Sequence, residues 1–451
     1  MPRNPQFWHN WVGNQDAVAN LHRPRTCEEL QSTVRAAATR GRIRPVGNSY
    51  AWSPLIPTGD TLIALTHLKN VLAIDAGGPE PSITVEAGIS MKELTKIASQ
   101  QGLTLISPTI FPRVSIGGVV NTGSHGTGRD VRTFSDDALA LTFVRPDGEL
   151  WTVRRGDPAW PAAAVGLGAF GPLYSVQLRA ERAFNVSVEE KRFPIETMLR
   201  GIVDAVNTYE YVEMYWFPYD DDMWLMAIDR TDLPRDWPSV ADLVRTGVDS
   251  ALAYAAGYVF IPLIARHAPR LTPAMMKIAP SFQFREGVTV EPSALEFHYV
   301  TAYPMMYDME YAVPLVNAAR AWQIGIDMVR DYGARGRYPV NFVLHARYIR
   351  ASEALMSPAH HRDPDTIMCM IECVTAIGTP GRDEFYARLA AAWADEVGGR
   401  PHWGKMLYHP QRLKADYGAD MAAFEAVRAA HDPDRVFLNR YLEREVLQLA
   451  P

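Results

Sequence analysis

Between Ser115 and Gly128 the chain reads Ser-Ile-Gly-Gly-Val-Val-Asn-Thr-Gly-Ser-His-Gly-Thr-Gly, five glycines in fourteen residues. Glycine reaches backbone conformations closed to other residues and lets main-chain N–H groups approach an anion closely. A concave row of such groups makes a phosphate nest. The hydroxyls of Thr122, Ser124 and Thr127 can add bonds to the same oxygens. The pattern is neither GxGxxG nor GxxxxGK[ST]. It follows the loop Ser107-Pro-Thr-Ile-Phe-Pro112 rather than a clean strand. On chemistry alone, a phosphate cradle and a purely structural glycine loop stand equal.

A chain of 451 residues has room for two or three domains and a cleft between them. Its net charge of −6 and lack of a long basic run argue against nucleic acid as a partner. The three cysteines, Cys27, Cys369 and Cys373, have no metal-binding spacing and read as buried thiols in a reducing compartment; no metal site is expected. The N-terminus, Met-Pro-Arg-Asn-Pro-Gln-Phe-Trp, lacks the apolar core of a signal peptide. The stretch Ala251 to Ala265 is apolar but shorter than the ~20 residues a span needs, and Pro262 interrupts it. A buried helix or one wall of a pocket is expected there, and no transmembrane segment. By elimination a cytoplasmic protein is expected.

Short strands and helices alternate through the first 180 residues. Thr26 caps a helix over 26–38, and Ser90 caps one over 91–100 that Gly102 ends. Strands are expected at 61–65, 82–88, 139–144, 150–153 and 173–178. From about 181 the strands grow more aromatic, as in Tyr211-Val-Glu-Met-Tyr-Trp-Phe217. The proline-bearing stretches Pro234 to Pro238 and Pro262 to Pro280 read as irregular connectors. Helices are expected at 315–332, 382–396 and 421–430, and paired strands at 342–350 and 366–374.

Read together, several segments are similar to one family. They are Arg44-Pro-Val-Gly-Asn-Ser-Tyr-Ala-Trp-Ser53, Val85-Glu-Ala-Gly88, the glycine-rich stretch, Gly166-Leu-Gly-Ala-Phe-Gly-Pro-Leu-Tyr-Ser-Val176, Met309-Glu-Tyr-Ala-Val-Pro314, Pro401-His-Trp-Gly-Lys405, and Asp432-Pro433 with Phe437-Leu-Asn439. The chain resembles the FAD-linked oxidases of the vanillyl-alcohol oxidase / p-cresol methylhydroxylase superfamily, and within it the sugar-1,4-lactone and alditol oxidases. The resemblance implies an α+β, two-domain fold. A PCMH-type FAD domain, built from two α/β subdomains, would cover 1–180. A substrate domain with a large antiparallel sheet would cover 181–405, and 406–451 would return to the FAD domain. It implies FAD contacts from Pro45, Val46, Gly47, Asn48, Ser49, Tyr50 and Ser53. Further contacts would come from Ser115, Gly117, Gly118, Asn121, Thr122, Gly123, Ser124, His125, Gly126 and Thr127. Gly171, Val176, His402 and Lys405 would complete the set.

Two departures from the family pattern matter. Relatives often carry a histidine that binds FAD covalently where this chain has Tyr50, so non-covalent FAD is expected. Relatives commonly read Glu-x-Arg where this chain reads His345-Ala-Arg347. On the partner strand they place a histidine near Met370, where this chain offers Glu372. The expected catalytic residues are His345, Arg347, Glu372 and Lys405. Tyr50, His345, Arg347, Met370 and Glu372 are expected to meet the substrate. A neutral histidine suits a general base near pH 7, and a cation suits a reduced, anionic flavin. Each residue also has a structural reading: His345 and Glu372 as satisfied or paired groups, and Arg347 as a scaffold ion pair with Glu372 or Glu310. His125 would order the glycine loop. The implied reaction takes hydride from a carbon bearing a hydroxyl or amine onto flavin N5, with O2 or another acceptor reoxidising the flavin. The changed positions point to a small-molecule substrate other than a simple sugar lactone, as in secondary-metabolite tailoring. A redox-neutral lyase, isomerase or cyclase is the alternative, and a binding protein that has lost FAD is the third.

Overall fold

Capping chemistry starts the first helices. Thr26 accepts from the N–H of Glu29 at Cys27–Ala38, and Ser90 and Glu93 cap Met91–Gln100 reciprocally. Their buried faces, with Leu30 and Val34 on one and Leu94 and Ala98 on the other, enter one apolar cluster. The computed structural model describes residues 5–237, 247–248, 251–252, 255–297 and 305–450. Residues 1–4, Pro238, Ala253 and Tyr254, which carried parts of the expectations above, lie outside the described residues.

The described strands form three sheets. A four-stranded sheet runs Pro5–His9, Asp16–His22, Thr61–Ala64, Ile43–Val46. A six-stranded antiparallel sheet is centred on Leu173–Arg182. An eight-stranded sheet, antiparallel throughout, runs Gly287–Pro292, Asn185–Pro194, Asp222–Thr231, Tyr211–Trp216, Val343–Arg350, Ile367–Ala376, Met306–Pro314, Arg400–Pro401. This is the α+β, two-domain architecture with a large antiparallel sheet that the family resemblance implies.

Side chains alternate across a strand, and in the large sheet the two faces differ in kind. Leu344, Ala346, Tyr348, Cys369, Ile371 and Cys373 face the helices Ile195–Thr208, Ala318–Ala334 and Arg382–Val397, in one apolar core. The other face carries charge at its centre. Pairing sets Tyr215, His345, Glu372 and Glu310 in one row across four strands, and Glu213, Arg347, Met370 and Ala312 in the next.

The C-terminal helix Leu413–His431 starts earlier than the expected 421 and bends at Gly418, whose φ of +50° suits glycine. Leu413, Phe424, Phe437 and Leu442 join the apolar cluster of the first two sheets. Buried Arg44 links the same parts, donating to the carbonyls of Leu55, Leu167, Gly168 and Phe437.

Two expectations are corrected. Pro262 to Pro280 is not irregular: it holds the helices Ile261–His267 and Thr272–Ile278 with short 3-10 turns between and after them. Each of these pieces carries proline in its first turn, where the missing N–H costs no helical bond. Nor do the described residues of 251–265 make a buried helix or pocket wall, because Val259, Phe260 and Leu263 point outward, each more than half exposed. Among the described residues of that stretch, Gly257, Ile261 and Ala265 are buried. No described helix is long and apolar enough to cross a membrane. The three cysteines are free thiols.

Candidate active site

The glycine-rich stretch folds as a short helix, Ile116–Thr122, between two special residues. Ser115 caps its N-terminus through the N–H of Gly118, and Gly123 ends it at φ +65°. Asn121 ties the turn down, donating to the Gly117 carbonyl while its own oxygen accepts from the Gly168 N–H. Opposite lies the loop 47–51. Ser49 sits at φ +62°, a left-handed residue that turns successive N–H groups to one side. The N–H groups of Asn48, Ser49 and Tyr50 meet no main-chain acceptor among the described residues. Gly47 allows the two loops to touch: a Cβ there would stand 2.1 Å from Ser115 Oγ.

These loops line a cleft that ends on the charged face of the large sheet. Trp11, Tyr50, Trp52 and Phe111 form an aromatic wall with ring centroids 4.8 to 5.8 Å apart. The free N–H groups, the close-packed glycines and the length of the cleft fit FAD.

At the far end stand Asp308, Glu310, Arg347, Glu372, His402 and Lys405. Lys405 Nζ pairs with Asp308, with Glu372 at 3.0 Å and with Glu310 at 3.7 Å. Arg347 lies 3.5 Å from Glu310 and 3.9 Å from Glu372, and donates to the His125 carbonyl. Burial raises the Glu372 pKa, but Lys405 and His345 outweigh it and hold the carboxyl well below its usual range. Burial, reinforced by Glu372, pushes Asp308 well up. Burial lowers His402 to about 3, so it is neutral.

His125 Nδ1 faces the Gly126 carbonyl at 2.8 Å and Nε2 faces Glu310 at 2.6 Å. Burial and Arg347 oppose charge on this ring, while Glu310 favours it. The geometry decides for the charged pair: both nitrogens face acceptors, and a bare lone pair at 2.6 Å from a carboxylate would be repelled. Glu310 accordingly stays well below its usual value, with His125 and Lys405 overcoming burial.

The expected residues divide by position. Pro45, Gly47, Asn48, Ser49, Tyr50, Ser115, Gly117, Gly118, Asn121, Thr122, Ser124, His125, His402 and Lys405 line the cleft, as do Arg347 and Glu372. The others stand behind it. Ser53 donates to the Trp403 carbonyl, Thr127 to that of Val212, and Gly126 N–H to Ser107. Gly123 packs against Pro358 and Gly171 against Phe437. Val46 and Val176 are core, and Met370 is buried with Ile349 and Met368. His345 is also set back. It is stacked on Tyr215 and gripped by Glu372 at Nδ1 (2.8 Å) and Glu213 at Nε2 (3.1 Å). Burial opposes its charge, but the two carboxylates win and its pKa is raised. An imidazolium held at both nitrogens has no lone pair with which to take a proton.

Sequence reasoning passed over Glu213, Asp308 and the tryptophans 11 and 52. The signal for the acids was alternation: Asp308 and Glu310, like Glu213 and Tyr215, are i, i+2 pairs on strands that are otherwise apolar.

Comparison with known proteins agrees with this geometry. The family profile for D-arabinono-1,4-lactone oxidase matches residues 176–445, and that for an FAD-binding domain matches 18–154. The chain is 29% identical over 443 residues to L-gulono-1,4-lactone dehydrogenase of Mycobacterium tuberculosis, covering 97% of this chain and 98% of that protein. It is 25% identical to L-gulonolactone oxidase of Scyliorhinus torazame, with 97% of each chain covered. Among solved structures it superimposes on a solvent-stable cholesterol oxidase with a TM-score of 0.79 at 21% identity, covering 99% of this chain and 98% of that one. At that identity the likeness speaks for the fold alone. The profile covers more than half of the chain and falls on the strands that carry the charged cluster, so the chain belongs to the D-arabinono-1,4-lactone oxidase family and is an FAD-dependent oxidoreductase.

Proposed function

We propose that this enzyme oxidises a CH–OH group of a small molecule bound between the aromatic wall and Lys405, and that FAD is held there without a covalent bond. The observation that carries this reading is the meeting of Arg347, Glu372 and Lys405 at the end of a cleft lined by the free N–H groups of 48–50. FAD, when bound, supplies the hydride acceptor and carries the electron chemistry. The residues of the chain do the rest. Lys405 and Arg347 offer N–H donors to the substrate oxygens. Glu372 accepts the hydroxyl proton; as a carboxylate held low it takes that proton in concert with loss of hydride from carbon, when the hydroxyl is most acidic. His345 donates to Glu372 from behind and fixes its orientation, and Glu213 holds the other end of the ring. Trp11, Trp52 and Phe111 keep water from the reacting carbon.

Tyr50, on the aromatic wall, supports non-covalent FAD, because it stands where relatives carry the linking histidine. Acid precipitation decides this: flavin is expected in the supernatant, and yellow colour kept in the pellet refutes it. The walls and the withdrawn His345 favour a substrate more apolar than a sugar lactone, in keeping with a tailoring role. A panel of aldonolactones and alditols, scored with oxygen and with an artificial acceptor, tests that; rapid turnover of a simple sugar substrate sinks it. Anaerobic mixing with a true substrate should leave reduced flavin after one turnover. Return of the oxidised spectrum would mean redox-neutral chemistry instead.

A further inference from the structure

From Ala256 to Phe282 the backbone is helical almost throughout. Its inner side is ordinary: Ile261 and Met276 pack with Ala376, Phe342 and Tyr219. Its outer side ought to be polar, and it is not. Phe260 and Leu263 are 53% and 54% exposed, and Leu271 and Ile278 are 55% and 58% exposed. Spacing gathers these side chains. Phe260, Leu263 and His267 fall at i, i+3 and i+7, and Leu271, Ile278 and Phe282 at i, i+7 and i+11, each set on one helical face.

The charge of this segment is as unusual as its exposure. Acidic residues outnumber basic ones in the chain, 51 to 45. Yet residues 251–285 contain no Asp or Glu, while Arg266, Arg270, Lys277 and Arg285 all lie there. Arg266, His267 and Arg270 are exposed at the join between the two apolar stripes. Lys277 reaches Asp221, outside the segment, at 3.7 Å, but exposed apolar side chains edged by Arg266, His267 and Arg270 match an anionic headgroup layer over acyl chains. A second copy of the chain is a poorer occupant, because a two-fold contact would set this basic patch against itself.

We propose that the face formed by residues 256–282 docks on the surface of a bilayer containing anionic phospholipid, lying in the interface without crossing it. The face adjoins the site. Phe284, just beyond it, packs on Tyr215 at 4.8 Å and stacks on Trp224 at 5.2 Å, and Tyr215 is the ring stacked on His345.

The test is co-sedimentation of the purified, flavin-loaded protein with vesicles of phosphatidylcholine alone or mixed with phosphatidylglycerol. Binding is expected to the mixed vesicles at low salt and to fall as salt rises. L263S/I278S should abolish it. R266Q and R270Q should each weaken it by about fivefold. Circular dichroism and flavin absorbance report whether the variants remain folded, and the two arginines are surface changes that leave packing untouched. No sedimentation with mixed vesicles, or equal binding by R266Q/R270Q, overturns the proposal. So does a concentration-dependent dimer that L263S/I278S disperses, which would make the face a contact between copies.

Discussion

At the residue scale, the site is a chain of charge pairs rather than a set of independent groups. Glu372 touches Lys405 on the cleft side and His345 on the buried side. Glu372→Gln keeps the shape but removes the proposed proton acceptor. We expect kcat to fall by on the order of 10²–10⁴ with the flavin spectrum retained; a loss of less than tenfold would assign the proton to another group. His345 makes a different kind of contribution. His345→Gln leaves Glu213 and Glu372 buried without their shared cation, a loss of ~3–5 kcal/mol measurable by urea denaturation. The pH dependence has a definite sign. The folded pKa lies above the unfolded value, about 6.5, so the stabilisation is complete below pH ~6.5 and is lost as pH rises through the folded value. That decline should disappear in H345Q, and persistence of the same slope would place its origin elsewhere.

At the element scale, the two loops that line the cleft meet at a contact distance that only glycine permits. The Cβ of Gly47→Ala would fall 2.1 Å from Ser115 Oγ, and that hydroxyl is the cap of Ile116–Thr122. Either the cap moves or the loop 47–51 does. We expect G47A to fold but to lose at least tenfold in FAD affinity, read by fluorescence titration of the apoprotein. Unchanged affinity would show that this loop does not hold the cofactor. The helices that follow prolines 262 and 273 teach a different lesson about elements. Proline marks a break only inside a helix, and a row of prolines spaced at first-turn positions can mark a series of starts.

At the scale of the whole molecule, the C-terminal segment closes the fold begun by the first sheet. Ile43 N–H donates to Val436, Arg44 to Phe437, and Arg42 pairs with Glu443 at 2.6 Å. Phe424, Phe437 and Leu442 sit in the same apolar cluster as Leu30 and Ile83. Each such side chain is worth ~1.5–3 kcal/mol, and the set is comparable with the ~5–15 kcal/mol of a whole domain. A chain stopped at Arg412 should therefore neither stay soluble nor bind flavin. Recovery of a soluble, yellow fragment would show that the first 180 residues fold without it.

Sequence alone was enough for whatever depends on neighbours along the chain. The caps at Thr26 and Ser90 and the alternation of the long strands follow from local rules, and matching segments along the chain carried the family, whereas the N–H groups of the glycine-rich stretch are taken up within the protein, as at Gly117, Gly118 and Gly126. Strand register and burial were decided only in three dimensions. His345 and Arg347 are two residues apart on one face, yet Arg347 reaches the cleft and His345 does not, because Glu213 from a neighbouring strand draws the imidazole back. Met370, also on that face, lies among Ala312, Ile349 and Met368. The loop 47–50 became a wall of the cleft only when Ser115 closed against Gly47 from about seventy residues away. Charge pairing and desolvation act through space, so no spacing in one dimension encodes which carboxylate an imidazole will choose.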